Sequence, residues 1–234
     1  MASVVAGAVA SVSGFGIGSL LTPVLMLRMP AADAVAVLSI PHALATGIRW
    51  LRLRPDVDRP TFRQFGVASA VGGLAGAALQ SQLASTILTV VLGTLLVLAG
   101  TTELLRRRVP LPRTPFWRLA GGVLSGLFGG LVGNQGGIRA AALLGFDLPP
   151  RQLVATATAS ALLVDAARVP IYLLSRGEAI AATVPLWLIA CAGVVIGTFI
   201  GVPVLGRIPT SAYRPLVGAL LLVLGISMFA AAAL

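Results

Sequence analysis

The chain has 234 residues, 57% of them hydrophobic and only 10% charged, with a mean hydropathy of +0.99. A soluble domain carries roughly 25% charged residues, so this composition excludes a water-covered globule and puts the chain in a bilayer. The net charge of +10 comes from 17 basic residues, every one an arginine, grouped between apolar segments as the positive-inside rule arranges them and not as a nucleic-acid surface would.

A spanning helix needs about 20 apolar residues. Eight apolar segments are predicted in chain order, over 3–27, 34–53, 61–82, 85–104, 117–144, 152–174, 181–205 and 212–233. Met1 to Val12 is apolar and has no basic n-region, so it reads as part of the first membrane segment and not as a cleaved signal. Two segments are interrupted by glycine: the first at Ser13–Ser19, the fifth at Gly129–Gly137. Glycine frees the backbone, and unwound backbone at membrane depth is tolerated only where protein buries it or a wet cavity receives it. The stretch 106–116, rich in Arg and Pro, is a basic linker between an N-terminal unit (1–105) and a C-terminal unit (117–234).

The two units repeat each other. Gly14, Gly18, Pro30 and Arg49 match Gly133, Gly137, Pro149 and Arg168 at a constant offset of 119 residues. The match continues with small indels, pairing Gly76 with Gly197, Gly93 with Gly218 and Gly100 with Gly225. Such internal symmetry is the usual plan of a transporter whose site lies between its halves. The expected fold is an all-α polytopic membrane protein of two homologous halves, about four apolar segments each, with the first segment of each half broken or re-entrant.

Two topologies follow. If the broken segments cross, the halves are parallel, and the loop arginines divide ten to four between the two sides. If they re-enter, the halves are inverted and the division is twelve to two. The positive-inside rule favours the inverted arrangement, with both termini outside and the linker in the cytoplasm.

Several residues could carry chemistry. A half-helix starting inside the membrane offers free backbone N–H groups and a positive dipole end, an anion site that needs no side chain. Gly14, Gly16 and Gly18 in the first break, and Gly133, Gly136 and Gly137 in the second, are the backbone candidates. Ser19, Thr22, Asn134 and Gln135 could donate hydrogen bonds to anionic oxygens. Arg49 and Arg168 occupy equivalent repeat positions within apolar segments, where a charge is costly and is a functional candidate by default. Arg139 is a third arginine of this kind. Asp165 lies three residues before Arg168, so the two can form a structural pair or a gate. His42, after Pro41, is with Asp165 a candidate for gating or proton coupling. Gly72, Gly73, Gly76, Gly193, Gly197 and Gly201 read as helix-packing glycines, and Trp50, Trp117 and Trp187 as interfacial belt residues. His42 is the only histidine and Cys191 the only cysteine, so no internal disulfide and no metal centre is expected.

The broken stretch Gly14-Phe-Gly-Ile-Gly18, the loop with Pro30, the turn Arg49-Trp-Leu-Arg-Leu-Arg54 with Asp56 and Asp58, the glycine-rich Gly72–Gly76, and their reprise from Leu124 onward resemble the TauE/SafE family of sulfite exporter-like permeases. The resemblance covers nearly the whole chain. It implies a multi-pass carrier of the bacterial inner membrane for small sulfur-containing anions: sulfite, thiosulfate or organosulfonates. Asn134 and Gln135 depart from the family's run of glycines and would add amide hydrogen bonds.

Secondary transport of a small anion by alternating access is therefore the leading expectation, with a passive anion channel or a non-transporting assembly subunit as alternatives. No zinc-protease motif and no phosphate-binding loop is present, so neither an enzyme nor an ATPase is expected, and no cofactor. The expected partners are the anion and the bilayer, with a coupling proton or cation and a second copy of the chain left open, and no nucleic acid.

Overall fold

A computed structural model describes residues 3–4, 6–7, 17–105, 112, 114–205 and 210–233. Gly14, Gly16 and most of the 106–116 linker lie outside these. Among the described residues all regular structure is helical. The principal helices are α1 (Ile17–Met26), α2 (Ala31–Leu53), α3 (Val67–Gln80), α4 (Ser85–Leu104), α5 (Pro115–Val132), α6 (Gly136–Leu143), α7 (Pro150–Ala182), α8 (Val184–Leu205) and α9 (Thr210–Ala232). A one-turn helix, Arg59–Thr61, and a π-helical stretch, Phe62–Gly66, lead into α3. Among the described residues four stretches are long and apolar enough to cross a membrane: Ala31–Asp56, Ser85–Leu104, Pro150–Ala182 and Arg214–Ala232.

Local chemistry sets the helix ends. Pro30 and Pro149 hold the extended backbone that precedes α2 and α7, with φ near −52° and −53°. Thr114 caps α5 by accepting from the Trp117 N–H, and Pro115 fills the first helical position. Gly133 ends α5 in the left-handed region (φ 71°), which a β-carbon would disfavour. Residues 133–135 then separate α5 from α6.

Two expectations need correcting. The fifth segment breaks only at 133–135, because Gly129 and Gly130 remain helical inside α5, while Gly136 and Gly137 open α6. The sixth segment does not end at 174. It continues to Ala182 across a kink at Arg176 (φ −136°). Beside that kink Ser175 bonds back to the Ile171 carbonyl at 2.8 Å, a contact that bends helices.

The centre of the protein is the antiparallel pair α2 and α7. Asp33 meets Arg176 at 3.3 Å near one end, His42 meets Asp165 in the middle, and Asp56 meets Arg151 at 2.8 Å near the other end. On one side α3 lies against α5, so closely that a β-carbon on Gly72, Gly76, Gly126 or Gly130 would fall on a carbonyl oxygen of the facing helix. On the other side α4 and α9 run antiparallel, with Gly93 against Gly225 and Gly100 against Gly218. Gly193 of α8 lies against Ser3 and Val4, and Gly7 against Val194. The outer helix faces are apolar, with Leu174, Ile189, Leu216, Val223 and Ile226 exposed.

Candidate functional site

The first and fifth segments meet at Gly18 and Gly133; of the predicted break at Ser13–Ser19, the described part, Ile17 to Ser19, is helical in α1, and the rest lies outside the described residues. A β-carbon on Gly18 would fall on the carbonyl oxygen of Gly133, and Ser19 Oγ donates to Asn134 Oδ1 at 3.3 Å. Beside this contact lies a cavity of about 20 Å3, room for about one water molecule. It is lined by Gly18 and Ser19 of α1, His42 of α2, Gly133, Asn134 and Gln135 of the break, and Gly136 and Arg139 of α6. Thr22 is buried one turn beyond Ser19.

The walls carry hydrogen-bonding capacity that the protein does not use. Asn134 and Gln135 are 5% and 3% exposed. Among the described residues, Asn134 Nδ2, both side-chain polar atoms of Gln135, and Arg139 Nη1 are buried without a partner. A buried polar group left unpaired costs about 1–3 kcal/mol, so four on one small site require an explanation. Gln135 is the N-cap of α6 and makes no side-chain cap, so the first-turn N–H groups of α6, which opens at the lining residue Gly136, have no side-chain cap.

Behind His42 the polar groups are fully engaged. His42 Nδ1 donates to Asp165 Oδ2 at 2.7 Å. Arg168 donates to Asp165 Oδ1 through Nε at 3.0 Å and Nη2 at 2.8 Å. Its Nη1 donates to the carbonyl of Gly129, and the Tyr172 hydroxyl donates to that of Gly130. Gln80 Nε2 donates to Leu131 O at 3.0 Å. These three acceptors are carbonyls of the last turn of α5: Gly129 O also accepts the cap N–H of Gly133 at 3.1 Å, while those of Gly130 and Leu131 lie beyond the reach of the helix's own ladder. Arg168, Tyr172 and Gln80 together therefore cap a helix that ends inside the protein, and a guanidinium suits the negative end of its dipole.

Not every residue singled out from the sequence reaches the cavity. Arg168 is 1% exposed and does not line it. Arg49 lies further along α2, where its Nη2 donates to Thr46 Oγ1 at 3.3 Å, and Thr46 in turn contacts His42 Nδ1 at 3.5 Å. Gly137 follows the lining residue Gly136. Tyr172, Gln80 and Thr46 were not singled out. The signal for Tyr172 was its place one turn after Arg168 on the same face. Gln80 gave only a lone amide in an apolar helix.

The local charge is positive. Arg49, Arg139 and Arg168 act on the region around His42 against a single carboxylate, Asp165. Three guanidinium groups against one carboxylate leave two positive charges in excess, a field that attracts an anion. A family model for the sulfite exporter TauE/SafE matches residues 1–228. The chain belongs to the TauE/SafE family. Neither a curated protein nor a solved structure matches it. As a TauE/SafE member it is of the membrane transporter type that exports sulfite or related anions. The four long apolar helices among its described residues fit a multi-pass membrane protein.

Proposed function

We propose that this TauE/SafE protein is a secondary carrier of a small sulfur-containing oxyanion in the bacterial plasma membrane, working by alternating access between two inverted halves. The observation that carries this reading is the group of unpartnered donors on one cavity: Asn134 Nδ2, Gln135 Nε2 and Arg139 Nη1, beside the N-terminus of α6. Oxyanions offer several acceptor oxygens to such a set, and arginine suits them best as a forked donor. The cavity is far smaller than a polyatomic anion with its hydration shell, so binding requires the walls to part. A carrier that rocks around its site does this in every cycle.

The inverted arrangement draws support from helix direction. In parallel repeats, equivalent helices cross the bilayer in the same sense; in inverted repeats they cross in opposite senses. The equivalents α2 and α7 are antiparallel, and so are α4 and α9. The contacts are also reciprocal. Exchanging Gly93 for its mate Gly218, and Gly225 for its mate Gly100, turns the contact Gly93–Gly225 into Gly218–Gly100, which is also present. Likewise Gly72 lies on Val123, and its counterpart Gly193 lies on Ser3 and Val4.

Flux into proteoliposomes tests the function. Thiosulfate, sulfite and a small sulfonate are offered in parallel against chloride. The expected result is saturable flux of at least one sulfur anion. Arg139→Gln is expected to raise its KM by about ten- to a hundredfold, the worth of one charge-assisted hydrogen bond at about 1.5–3 kcal/mol. Flux that never saturates would indicate a channel, and no flux of any of them from folded protein would overturn the reading.

A further inference from the structure

His42 stands between the two parts of this site. One ring nitrogen, Nδ1, is bound to Asp165 Oδ2 at 2.7 Å, while the same ring lines the cavity. A carboxylate can only accept, so Nδ1 carries the hydrogen, and Asp165 fixes that tautomer. The nitrogen that remains for the cavity is Nε2, with a lone pair. Asp165 is itself held on its other oxygen by Arg168, which is anchored to the end of α5. The ring is thus fixed in orientation and tautomer by a chain of buried contacts. The ring so held keeps one basic nitrogen, Nε2, and His42 shares its cavity with the unpartnered donors of Asn134, Gln135 and Arg139.

We infer that His42 Nε2 is the proton-binding site of this carrier, and that the proton travels with the anion. The inference rests on the anion-carrier reading and adds the coupling ion. The step is a simple protonation. A proton from bulk water on the entry side bonds to Nε2, making an imidazolium whose Nδ1–H stays with Asp165. On the exit side the Nε2–H bond breaks and the proton returns to water. No other bond changes. Protonation converts Nε2 from an acceptor, which repels an oxyanion's lone pairs, into a charged donor that attracts them. By linkage, the anion must strengthen proton binding by the same factor as the proton strengthens anion binding.

The other charges around the ring are set against one another. From α7 it faces Asp165 and Arg168, with Tyr172 one turn on. From its own helix Arg49 acts on it, and Arg139 of α6 lines the same cavity. From α1 the cavity receives only Gly18 and Ser19, and from the break only Gly133, Asn134 and Gln135. An anion arriving beside Arg139 brings negative charge into the cavity that His42 lines, and that charge attracts the imidazolium, which is the physical basis of the coupling.

The chain has one histidine, so ring-15N-histidine NMR of this wild-type 234-residue chain, freed of any purification tag, reports on His42 alone. Thiosulfate is the probe, because it takes up no proton near neutral pH and any proton bound on its addition belongs to the protein. At fixed pH, thiosulfate is expected to move the Nε2 resonance from the unprotonated towards the protonated position, while Nδ1 stays protonated throughout. In proteoliposomes an inside-alkaline gradient of about one pH unit is expected to accumulate thiosulfate about tenfold at zero membrane potential, for one proton per anion. In His42→Gln the accumulation ratio is expected to fall to one, whatever exchange rate remains. Saturable thiosulfate exchange with an unchanged Nε2 resonance, or with no response to the gradient, would overturn the proton site and leave the carrier standing. Accumulation by His42→Gln at the wild-type ratio would overturn it too. If the wild-type protein exchanges no sulfur anion at all, the carrier reading itself fails. The NMR arm uses only wild-type protein, so the test stands even if His42→Gln does not fold.

Discussion

At the scale of single residues, the interior of this protein divides into groups that are spent and groups that are free. Arg168, Tyr172 and Gln80 are spent on the last carbonyls of α5. Tyr172→Phe removes one hydroxyl and leaves the Gly130 carbonyl without that donor inside the protein. The expected loss is about 1–3 kcal/mol, read as a lower thermal unfolding midpoint in detergent, with thiosulfate affinity unchanged. An unaltered midpoint would mean that the carbonyl finds another partner. The Asp165–Arg168 pair was legible from the sequence because a three-residue spacing puts both on one helix face. The His42–Asp165 contact was not, because its partners are 123 residues apart. Nor could sequence tell which arginine reaches the cavity. Repeat symmetry singles out Arg49 and Arg168 equally, yet the lining arginine is Arg139. Its place depends on where α6 begins, and that in turn on the left-handed turn at Gly133.

At the scale of helices, glycine plays two parts that composition does not separate. The run from Gly129 to Gly137 reads as one long break, but only 133–135 leave the helix. Gly130 stays helical and lets α5 touch the backbone of α3 at Gly73 and Ala77. Gly126 is of the same kind, because a β-carbon there would strike the Ser69 carbonyl. Gly126→Ala is therefore expected to destabilise by about 1–3 kcal/mol through overpacking. Gly177 has nothing within 4 Å, so Gly177→Ala is expected to be neutral, or stabilising by up to about 1 kcal/mol from helix propensity. Thermal unfolding of the two variants side by side checks the contrast, and equal effects would mean that close approach is not what these glycines serve. The fourth segment was legible to the residue, 85–104, because turn residues bound an uninterrupted apolar run. The extension of α7 past 174 was not, because Arg176 and Gly177 read as a loop, whereas the helix only kinks there.

At the scale of the whole molecule, the sequence offers matched glycines and arginines, and a one-dimensional match gives no direction in the membrane. Inverted halves put the turn before α7 on the cytoplasmic side and the turn after α3 on the opposite side; parallel halves put both outside. In a Cys191→Ser background, Gln82→Cys is expected to react with an impermeant maleimide in intact cells. Pro149→Cys is expected to react only after permeabilisation. Labelling of both in intact cells would favour parallel halves. The same inversion bears on the two ion pairs that tie α2 to α7 near opposite ends. They are alike in chemistry and unlike in exposure: the Arg151 side chain is 77% exposed, that of Arg176 30%. Dissolved salt screens an exposed pair far more than a sheltered one. On the alternating-access reading each pair would latch one door, and ionic strength would loosen the Arg151 latch more than the Arg176 one. With inverted halves the Arg151 latch faces the cytoplasm, so the salt content of the cell interior would bias which door stands open.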